Sequence, residues 1–287
     1  MTRHCWTRPA SLLVALSIAL LALTACGAET SADPPASTPG PIPGTIDISN
    51  VPELRDGTLT VGSDISYAPM EFFEEGTRNP MGLDIDLARA IGRRLGVDVE
   101  ITHTGIEGLV AFPDSSEFDI VMSAITITEE RAKSVDFVPY LYVGTGILVP
   151  AGNPDHIEDL EDLCGHTVAV QLGTIQQNMV REQSDLCDEA IDIVTFDSNP
   201  LAVQDLRTRG SDANLSDLPV AQLGAERSDG ELEVVGTQLD PAPYGIVVRK
   251  GSPPLKAAIE QAVAALMASD EYATILADWG LESTALK

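Results

Sequence analysis

The stretch 118–131, FDIVMSAITITEER, combines residue types that could bind a carboxylate. It begins as a short apolar strand, turns through small hydroxyl residues and then opens a helix. Thr126 and Glu129 have the spacing of a capping box, and a helix that starts there would direct free backbone N–H groups at the strand end. Arg131 adds a planar, two-pronged cation that suits a carboxylate. An ordinary strand-to-helix turn with a solvated arginine has the same residues, so the rest of the chain must decide.

Other predicted strands also end in polar residues. The buried strand 58–62 is followed by Asp64 and Tyr67, and the short strand 213–215 is followed by Asp217. In open α/β sheets, ligands bind in the crevice at the carboxyl ends of the strands. Asp64 could equally cap its own turn, because aspartate suits such turns.

Strand and helix patterns alternate along the chain, which indicates an α/β fold with two halves. Apolar residues at helical spacing predict a helix over 83–95, and Gly96 ends it. The segment 135–142 is predicted to be an irregular aromatic connector, and 155–163 to be helical. The predicted strands are 58–62, 97–102, 120–122, 146–150, 167–171, 191–196, 213–215, 231–235 and 244–249. The other predicted helices are 107–112, 175–182, 203–208, 220–225 and two amphipathic segments near 255–267 and 272–279.

The first 25 residues are typical of an export signal. Arg3 and Arg8 give a positive start, and 10–25 is mostly apolar but too short to cross a bilayer comfortably. The sequence LTACG at its end resembles the bacterial lipobox, in which the signal is cut before the cysteine, here Cys26, and that cysteine is lipidated. Cleavage by the generic route would leave a free thiol instead. The following segment, 26–50, is predicted to be a flexible tether between lipid and domain.

The chain is strongly acidic. Its net charge is −27, and without residues 1–25 it becomes −29, because 15 Lys and Arg then face 44 Asp and Glu. This balance excludes nucleic acid as a partner, since phosphate binding needs clustered Lys and Arg. Such acidity can serve solubility alone, or it can attract cationic ligands.

Cysteine usage fits an oxidising compartment. Cys5 lies in the export signal and Cys26 at its end, which leaves Cys164 and Cys187. We predict a disulfide between these two, with a pair of reduced buried thiols as the alternative. The histidines are scattered and no Cys-x-x-Cys occurs, so we expect no metal site and no cofactor.

Several motifs occur in the order that one family shows. They are Gly62-x-Asp64-x-x-Tyr67-x-Pro69, Gly82-Leu-Asp-Ile-Asp-Leu87, Met122-Ser-Ala-Ile-Thr126-Ile-Thr-Glu-Glu-Arg131, Gln171-x-Gly173-Thr174, Asp217-Leu-Pro-Val220 and Tyr244-Gly-Ile-Val-Val-Arg249-Lys-Gly251. From about residue 59 to 281 the chain resembles the polar amino-acid solute-binding proteins of ABC importers, solute-binding protein family 3. The resemblance implies a type II periplasmic-binding-protein fold, in which two Rossmann-like lobes are joined by a hinge that the chain crosses twice. Lobe 1 would comprise 51–147 and 237–287, and lobe 2 would comprise 148–236, with crossings near Leu148 and Gly236.

The same resemblance implies a function. The chain would be a monomeric extracytoplasmic protein, held by lipid on the outer face of the cell membrane. It would capture a free polar amino acid by hinge closure and deliver it to the permease and ATPase subunits of an ABC importer. Asp64 and the acidity favour a basic or amide amino acid.

The resemblance also assigns the binding residues. The candidates are Asp64, Tyr67, Ile106, Ser123, Ala124, Thr126, Arg131, Gln171, Gly173, Thr174, Gln176 and Asp217. Arg131, with Thr126 and backbone N–H groups, would bind the α-carboxylate, and Asp217 would accept from the α-ammonium. Asp64 and Tyr67 would face the ligand side chain.

Some positions depart from the family pattern. Ala124 stands where relatives often have Ser, so it could give only its N–H to a ligand. Ile106 stands where a second aromatic is frequent, which leaves a flat cation sandwich incomplete. Ile175 replaces a frequent Thr, and 112–116 looks like an insertion. These departures bear on side-chain specificity rather than on binding of the α-groups.

Three other functions would fit parts of this sequence. An exported dehydratase acting on cyclohexadienyl acids would share the fold, with Asp64 or Glu71 as a catalytic group, but no second catalytic group is evident. A sensor domain would need a transmembrane helix and a signalling module beyond residue 287. A purely structural surface lipoprotein would leave the polar strand ends unexplained. We therefore expect a binding protein and not an enzyme.

Overall fold

The computed structural model describes residues 46–105, 109, 112 and 117–286. All of them belong to one compact unit, Gly40–Lys287. The predictions for the export signal, the lipidated Cys26, most of the tether and the site residue Ile106 lie outside the described residues, as do most of 107–116. No helix within the described residues is long and apolar enough to cross a membrane.

Strands account for the sheet framework. They are β1 Thr58–Ser63, β2 Ser66–Tyr67, β3 Glu71–Phe73, β4 Pro80–Met81, β5 Asp98–His103, β6 Ile120–Val121, β7 Val135–Pro150, β8 Thr167–Gln171, β9 Asp192–Phe196, β10 Ala213–Asp217 and β11 Leu232–Arg249. The helices are α1 Leu83–Leu95, α2 Glu129–Ala132, α3 Ile175–Ser184, α4 Asn199–Arg207, α5 Leu218–Glu226, α6 Pro253–Met267 and α7 Asp270–Asp278. Short 3₁₀ turns occur at Pro52–Leu54, Leu160–Leu163 and Glu282–Thr284.

One eight-stranded sheet has the order β5-β1-β6-β11-β7-β10-β8-β9. Pairing is parallel among β5, β1 and β6, and again among β10, β8 and β9. The two long strands β7 and β11 lie between these groups and pair antiparallel with each other and with their neighbours. We call β5, β1 and β6 the first strand group, and β10, β8 and β9 the second. Their carboxyl ends carry the polar residues singled out in the sequence.

The prediction of an irregular connector at 135–142 was wrong. This segment is the first half of β7, and it pairs with β11 from Val135 opposite Arg249 to Tyr142 opposite Pro243. Likewise, the predicted strands 231–235 and 244–249 are parts of the single strand β11. Local composition could not reveal this pairing, because the hydrogen bonds join residues about a hundred positions apart.

The prediction of a helix over 155–163 was wrong except for the turn Leu160–Leu163. Asn153 closes the preceding loop with its side chain, which accepts from Ile157 N at 3.0 Å and donates to Ile157 O at 2.9 Å. Side-chain bonds of this kind compete with helical hydrogen bonds. The predicted helix at 83–95 is confirmed as α1, and Gly96 ends it in the left-handed conformation, with φ of 73°.

Each strand group has its own apolar core. The first packs β1, β7 and β11 against α1, α6 and α7, with fully buried residues such as Leu59, Leu87 and Ile259. The second packs β8 and β10 around Val170 and Leu215. The strand ends are therefore held by two separate hydrophobic cores.

The predicted disulfide between Cys164 and Cys187 is confirmed, with Cα atoms 5.5 Å apart. Cys164 follows the turn Leu160–Leu163, and Cys187 lies just beyond α3. The bond therefore ties the end of α3 to the segment that leads into β8.

Reduction of this disulfide is expected to lower the melting temperature. The closed loop spans 23 positions, and closing such a loop contributes roughly 3 kcal/mol. Calorimetry with and without reductant measures the shift. A double variant, Cys164→Ser with Cys187→Ser, should melt at the lower temperature in both buffers. An unchanged midpoint of the natural chain on full reduction would contradict the prediction.

Candidate functional site

Polar residues from both strand groups line one cavity of about 40 Å³. It is lined by Asp64, Tyr67, Glu71, Leu109, Ser123, Ala124, Ile125, Thr126, Arg131, Gln171, Thr174, Ile175, Gln176 and Asp217. The structure thus brings together the described candidates, apart from Gly173, whose carbonyl contacts Arg131. A cavity of this size has room for only a few water molecules, at about 10–15 Å³ each. A larger solute can enter only if the walls separate.

Asp64 and Ser123 occupy the ends of the neighbouring strands β1 and β6. The Asp64 N–H donates to Ser123 Oγ at 3.0 Å, and Ser66 Oγ donates to Asp64 Oδ1 at 2.8 Å. The second bond is the turn-capping role that the sequence left open for Asp64. The other oxygen, Oδ2, accepts from Gln171 Nε2 at 2.8 Å. Asp64 therefore both closes its turn and reaches the second strand group.

The capping box predicted for Thr126 and Glu129 was wrong. Thr126 forms an isolated bridge with Tyr244 of β11, so the chain is still extended at this point. The helix α2 begins two residues later with Thr128 as its N-cap, and Thr128 Oγ1 accepts from Arg131 N at 3.2 Å. Because α2 is a single turn, its N-terminus is not a strong source of free N–H groups.

Arg131 is held between two backbone carbonyls. Its Nη1 donates to Thr126 O at 2.8 Å, and its Nη2 donates to Gly173 O at 3.3 Å. Burial lowers the pKa of Arg131, while the charge of Asp217 raises it. A guanidinium stays protonated under such a shift, because its ordinary pKa is so high. The group therefore brings a fixed positive charge to the cavity wall.

Asp217 brings the opposite charge from the end of β10. It is 4% exposed. Tyr67 Oη donates to Oδ2 at 2.8 Å, and Gln176 Nε2 donates to Oδ1 at 3.0 Å. Burial raises the pKa of Asp217 to about 6, although these hydrogen bonds and the charge of Arg131 lower it. At neutral pH the carboxyl group is therefore mainly ionised.

The turn between β8 and α3 fixes the rest of the second strand group. Thr174 caps α3 by accepting from Gln177 N at 3.2 Å, and its hydroxyl donates to Gln171 O at 2.8 Å. Gly173 adopts φ of 77° and donates its N–H to Gln177 Oε1 at 2.9 Å. The left-handed conformation favours glycine here. The Thr174 hydroxyl is thus already occupied within the turn.

Hydrogen bonds across the cavity join the two strand groups. Tyr67 reaches Asp217, Gln171 reaches Asp64, and Arg131 reaches Gly173. The same polar groups that a ligand would use are therefore bonded to one another in this structure.

The cavity differs from the expectations in two respects, the partner of the Ala124 N–H and the presence of additional lining residues. We expected Ala124 to offer its N–H to a ligand, but that N–H donates to Asp84 Oδ2 at 2.7 Å. Glu71, Leu109 and Ile125 line the cavity and were not among the candidate binding residues. The signal for Glu71 was its position in the turn-rich segment after β1, four residues beyond Tyr67.

A cluster of polar side chains lies outside the cavity. The side chains of Asp155, His166 and Asp212 come within 4.8 Å of one another, although the sequence spacing predicted no such cluster. His166 Nδ1 is 3.5 Å from Asp212 Oδ2, and that oxygen also accepts from Thr167 N at 2.9 Å. These contacts explain why Asp212 lies next to His166.

A family model described as bacterial extracellular solute-binding proteins, family 3, matches residues 59–282. The chain belongs to this family. A relative is the L-cystine-binding protein TcyJ of Escherichia coli (strain K12), which is 31% identical over 225 residues, or 78% of this chain and 82% of the relative.

Solved structures of similar proteins agree with the observed fold. An ancestral arginine-binding protein bound to glutamine is 36% identical, with a TM-score of 0.74 over 79% of this chain and 99% of the other. An ancestral amino acid-binding protein, described as a precursor of cyclohexadienyl dehydratase, is 35% identical, with a TM-score of 0.73 over 81% and 98%. The two-lobed α/β fold implied by the resemblance is confirmed.

Replacement of Tyr67 by Phe is expected to reduce the free energy of unfolding. The hydroxyl both donates to Asp217 Oδ2 and accepts from Asp217 N at 3.1 Å, and leaving such buried groups unpaired costs about 1–3 kcal/mol. Urea denaturation measures the loss. Tyr142→Phe is the matched control, because Tyr142 is 46% exposed. Equal stability of the two variants would contradict the assigned contact.

Proposed function

We propose that the chain captures a free polar amino acid between two lobes and delivers it to an ABC importer. The observation that carries this proposal is that Arg131 and Asp217 lie on the wall of one cavity and come from opposite strand groups. A cation and an anion fixed on two sides of a cleft match the two ends of a zwitterion. Neither strand group alone offers both charges.

The α-carboxylate would bind Arg131. Its guanidinium is already oriented by Thr126 O and Gly173 O, so little side-chain freedom is lost on binding. The Thr126 hydroxyl lies in the same wall and is the second candidate donor. The α-ammonium would bind Asp217 and replace one of the donors, Tyr67 or Gln176, that now bind the carboxylate.

The ligand side chain would lie toward Asp64 and Tyr67. Asp64 Oδ2 now accepts from the Gln171 amide, and an amide or guanidinium on the ligand could take that place. The relatives bind cystine, arginine or glutamine according to their names. Together with the acidity of the chain, this supports a basic or amide amino acid.

Opening of the cleft would take place at a hinge in β7 and β11. The proposed lobes are 51–147 with 237–287, and 148–236. Pairing of β11 with β7 shifts register between Val235 and Leu239 and again between Leu239 and Ala242. Such irregular pairing lies beside the proposed crossing at Gly236, where φ is 68°. Ligand binding would favour the closed form because only that form contacts both charges.

Location and delivery are further parts of the proposal. Cys26 would carry the lipid, and the segment to residue 50 would let the lobes reach the importer from the outer face of the membrane. The match of the family description to 59–282 supports an extracellular site of action. Permease and ATPase subunits would receive the amino acid.

An exported enzyme on the same fold is the second candidate function. Glu71 favours it, because this carboxyl group lines the cavity and burial raises its pKa well above the ordinary value. One solved neighbour is described as a precursor of a dehydratase. Heat of binding with no product formed would decide for the binding protein.

The proposal is tested by a thermal-shift screen of the twenty amino acids, followed by calorimetry with each hit. Arg131→Ala is expected to abolish most binding while the protein still folds, because the hydrogen bonds that the side chain donates within the described residues go to backbone carbonyls. Arg55→Ala, at an exposed arginine, is the matched control. Undiminished affinity of Arg131→Ala would refute the carboxylate role, and a screen without hits would refute the amino-acid ligand.

Asp217→Asn is expected to lower the affinity for an amino acid by more than about tenfold, since breaking a buried charge pair costs at least about 2 kcal/mol. The des-amino analogue should lose much less. Because burial raises the pKa of Asp217 to about 6, affinity of the natural chain should also fall as the pH drops through that value. Equal losses for both ligands in calorimetry would count against the ammonium role.

A further inference from the structure

Two completely buried carboxyl groups lie at the cavity, one in its wall and one behind it. Glu71 in β3 and Asp84 in the first turn of α1 are both 0% exposed. Backbone bonds hold the two elements together, since Asp84 N donates to Met70 O at 2.9 Å. Gly82 permits this approach, because it has φ of 131° and an added Cβ would collide with Met70 O. The fold therefore brings the two acids close together.

Each acid uses one oxygen for neighbouring donors. Asp84 Oδ2 accepts from Ala124 N and from Tyr140 Oη, both at 2.7 Å. Glu71 Oε1 accepts from Ser123 Oγ at 2.7 Å. Within the described part of the chain, the remaining oxygens, Glu71 Oε2 and Asp84 Oδ1, are buried and find no other donor. The two carboxyl groups interact electrostatically with each other, and a proton on one of them would supply the donor that both remaining oxygens lack.

We propose that Glu71 and Asp84 share one buried proton, and that this acid pair positions the turn 123–126 that faces the ligand. The proton belongs mainly to Glu71, because Asp84 accepts two other hydrogen bonds and is the better site for the negative charge. Glu71 is then a neutral donor in the cavity wall and not a third anion beside Asp64 and Asp217.

The electrostatics of the pair agree with this assignment. Burial raises the pKa of Glu71 well above its ordinary value, and the charges of Asp84 and Asp64 raise it further. Burial raises the pKa of Asp84 to about 6, against the hydrogen bonds of Ala124 and Tyr140. Asp217 and Tyr67 also act on the pair. The carboxylates among these neighbours repel a further negative charge and so favour retention of the proton.

The pair acts on the site through two short contacts. Asp84 fixes the N–H of Ala124, whose φ of 49° is uncommon for a residue other than glycine. Glu71 fixes the hydroxyl of Ser123, which in turn accepts from the Asp64 N–H. The turn held in this way leads to Thr126, the carbonyl partner of Arg131. Glu71 and Asp84 are therefore positioning residues that need not touch the ligand.

Infrared spectroscopy tests for the proton directly. The difference spectrum of the full chain minus Glu71→Gln at pH 7 should contain the carbonyl stretch of a protonated carboxylic acid. Glu75→Gln is the matched control, because Glu75 is an exposed acid in the same hairpin, and its difference spectrum should show the loss of a carboxylate without the band of a protonated acid. Absence of the acid band in the Glu71→Gln difference would overturn the shared proton.

The pH dependence of stability provides a second test. The folded chain retains a proton that the unfolded chain loses above the ordinary pKa of a carboxyl group. The free energy of unfolding should therefore fall as pH rises from about 4.5 through the raised pKa values. Glu71→Gln should reduce this slope, leaving the contribution of Asp217. Urea denaturation at pH 5 and at pH 8 measures the change in the free energy of unfolding between the two pH values. The same change in the natural chain and in Glu71→Gln would overturn the proposal.

The positioning role rests on the proposed function, and its test uses whichever amino acid the thermal-shift screen identifies. Glu71→Gln keeps a donor for Asp84 and an acceptor for Ser123, so its affinity should stay within about threefold of the natural chain. Glu71→Leu removes both and should weaken binding by about tenfold or more. Undiminished affinity of Glu71→Leu would overturn the positioning role. A screen without hits would refute the proposed function but not the shared proton, because the spectroscopic and stability tests need no ligand.

Discussion

Burial of opposite charges at one small cavity is the constraint on which this structure depends. Arg131 and Asp217 each lose water on folding, and each needs hydrogen bonds in exchange. Arg131 obtains them from backbone carbonyls, and Asp217 from Tyr67 and Gln176. Because some of these partners come from the opposite strand group, the cavity is also the place where the two groups are joined.

The sheet framework makes that meeting possible. Two parallel strand groups end in polar turns, and the long strands β7 and β11 connect the groups through the middle of the same sheet. Each group has its own apolar core, and β7 and β11 contribute residues to both cores on either side of their irregular pairing between Val235 and Ala242. A relative movement of the groups would then cost mainly the few hydrogen bonds across the cavity.

A second layer of polar contacts lies in and behind the cavity wall in the first strand group. Glu71, Asp84 and Tyr140 form a buried network that ends at the N–H of Ala124 and the hydroxyl of Ser123. Buried networks of this kind rigidify a site when every member is satisfied, and the proposed shared proton would satisfy Glu71 Oε2 and Asp84 Oδ1. The network therefore differs from the cavity itself, where Tyr67 and Gln171 make hydrogen bonds that a ligand could replace.

The sequence by itself determined the α/β class, the helix α1, the disulfide and most of the residues that line the cavity. These features depend on local periodicity, on cysteine count and on polar residues directly after strands. Only the tertiary structure decided the path of 135–142, the late start of α2 and the proximity of Glu71 and Asp84. Each of these depends on hydrogen bonds between residues far apart in the chain, and such partners leave no local signal. The N–H of Ala124 shows the difference most clearly, since its partner Asp84 lies forty positions away.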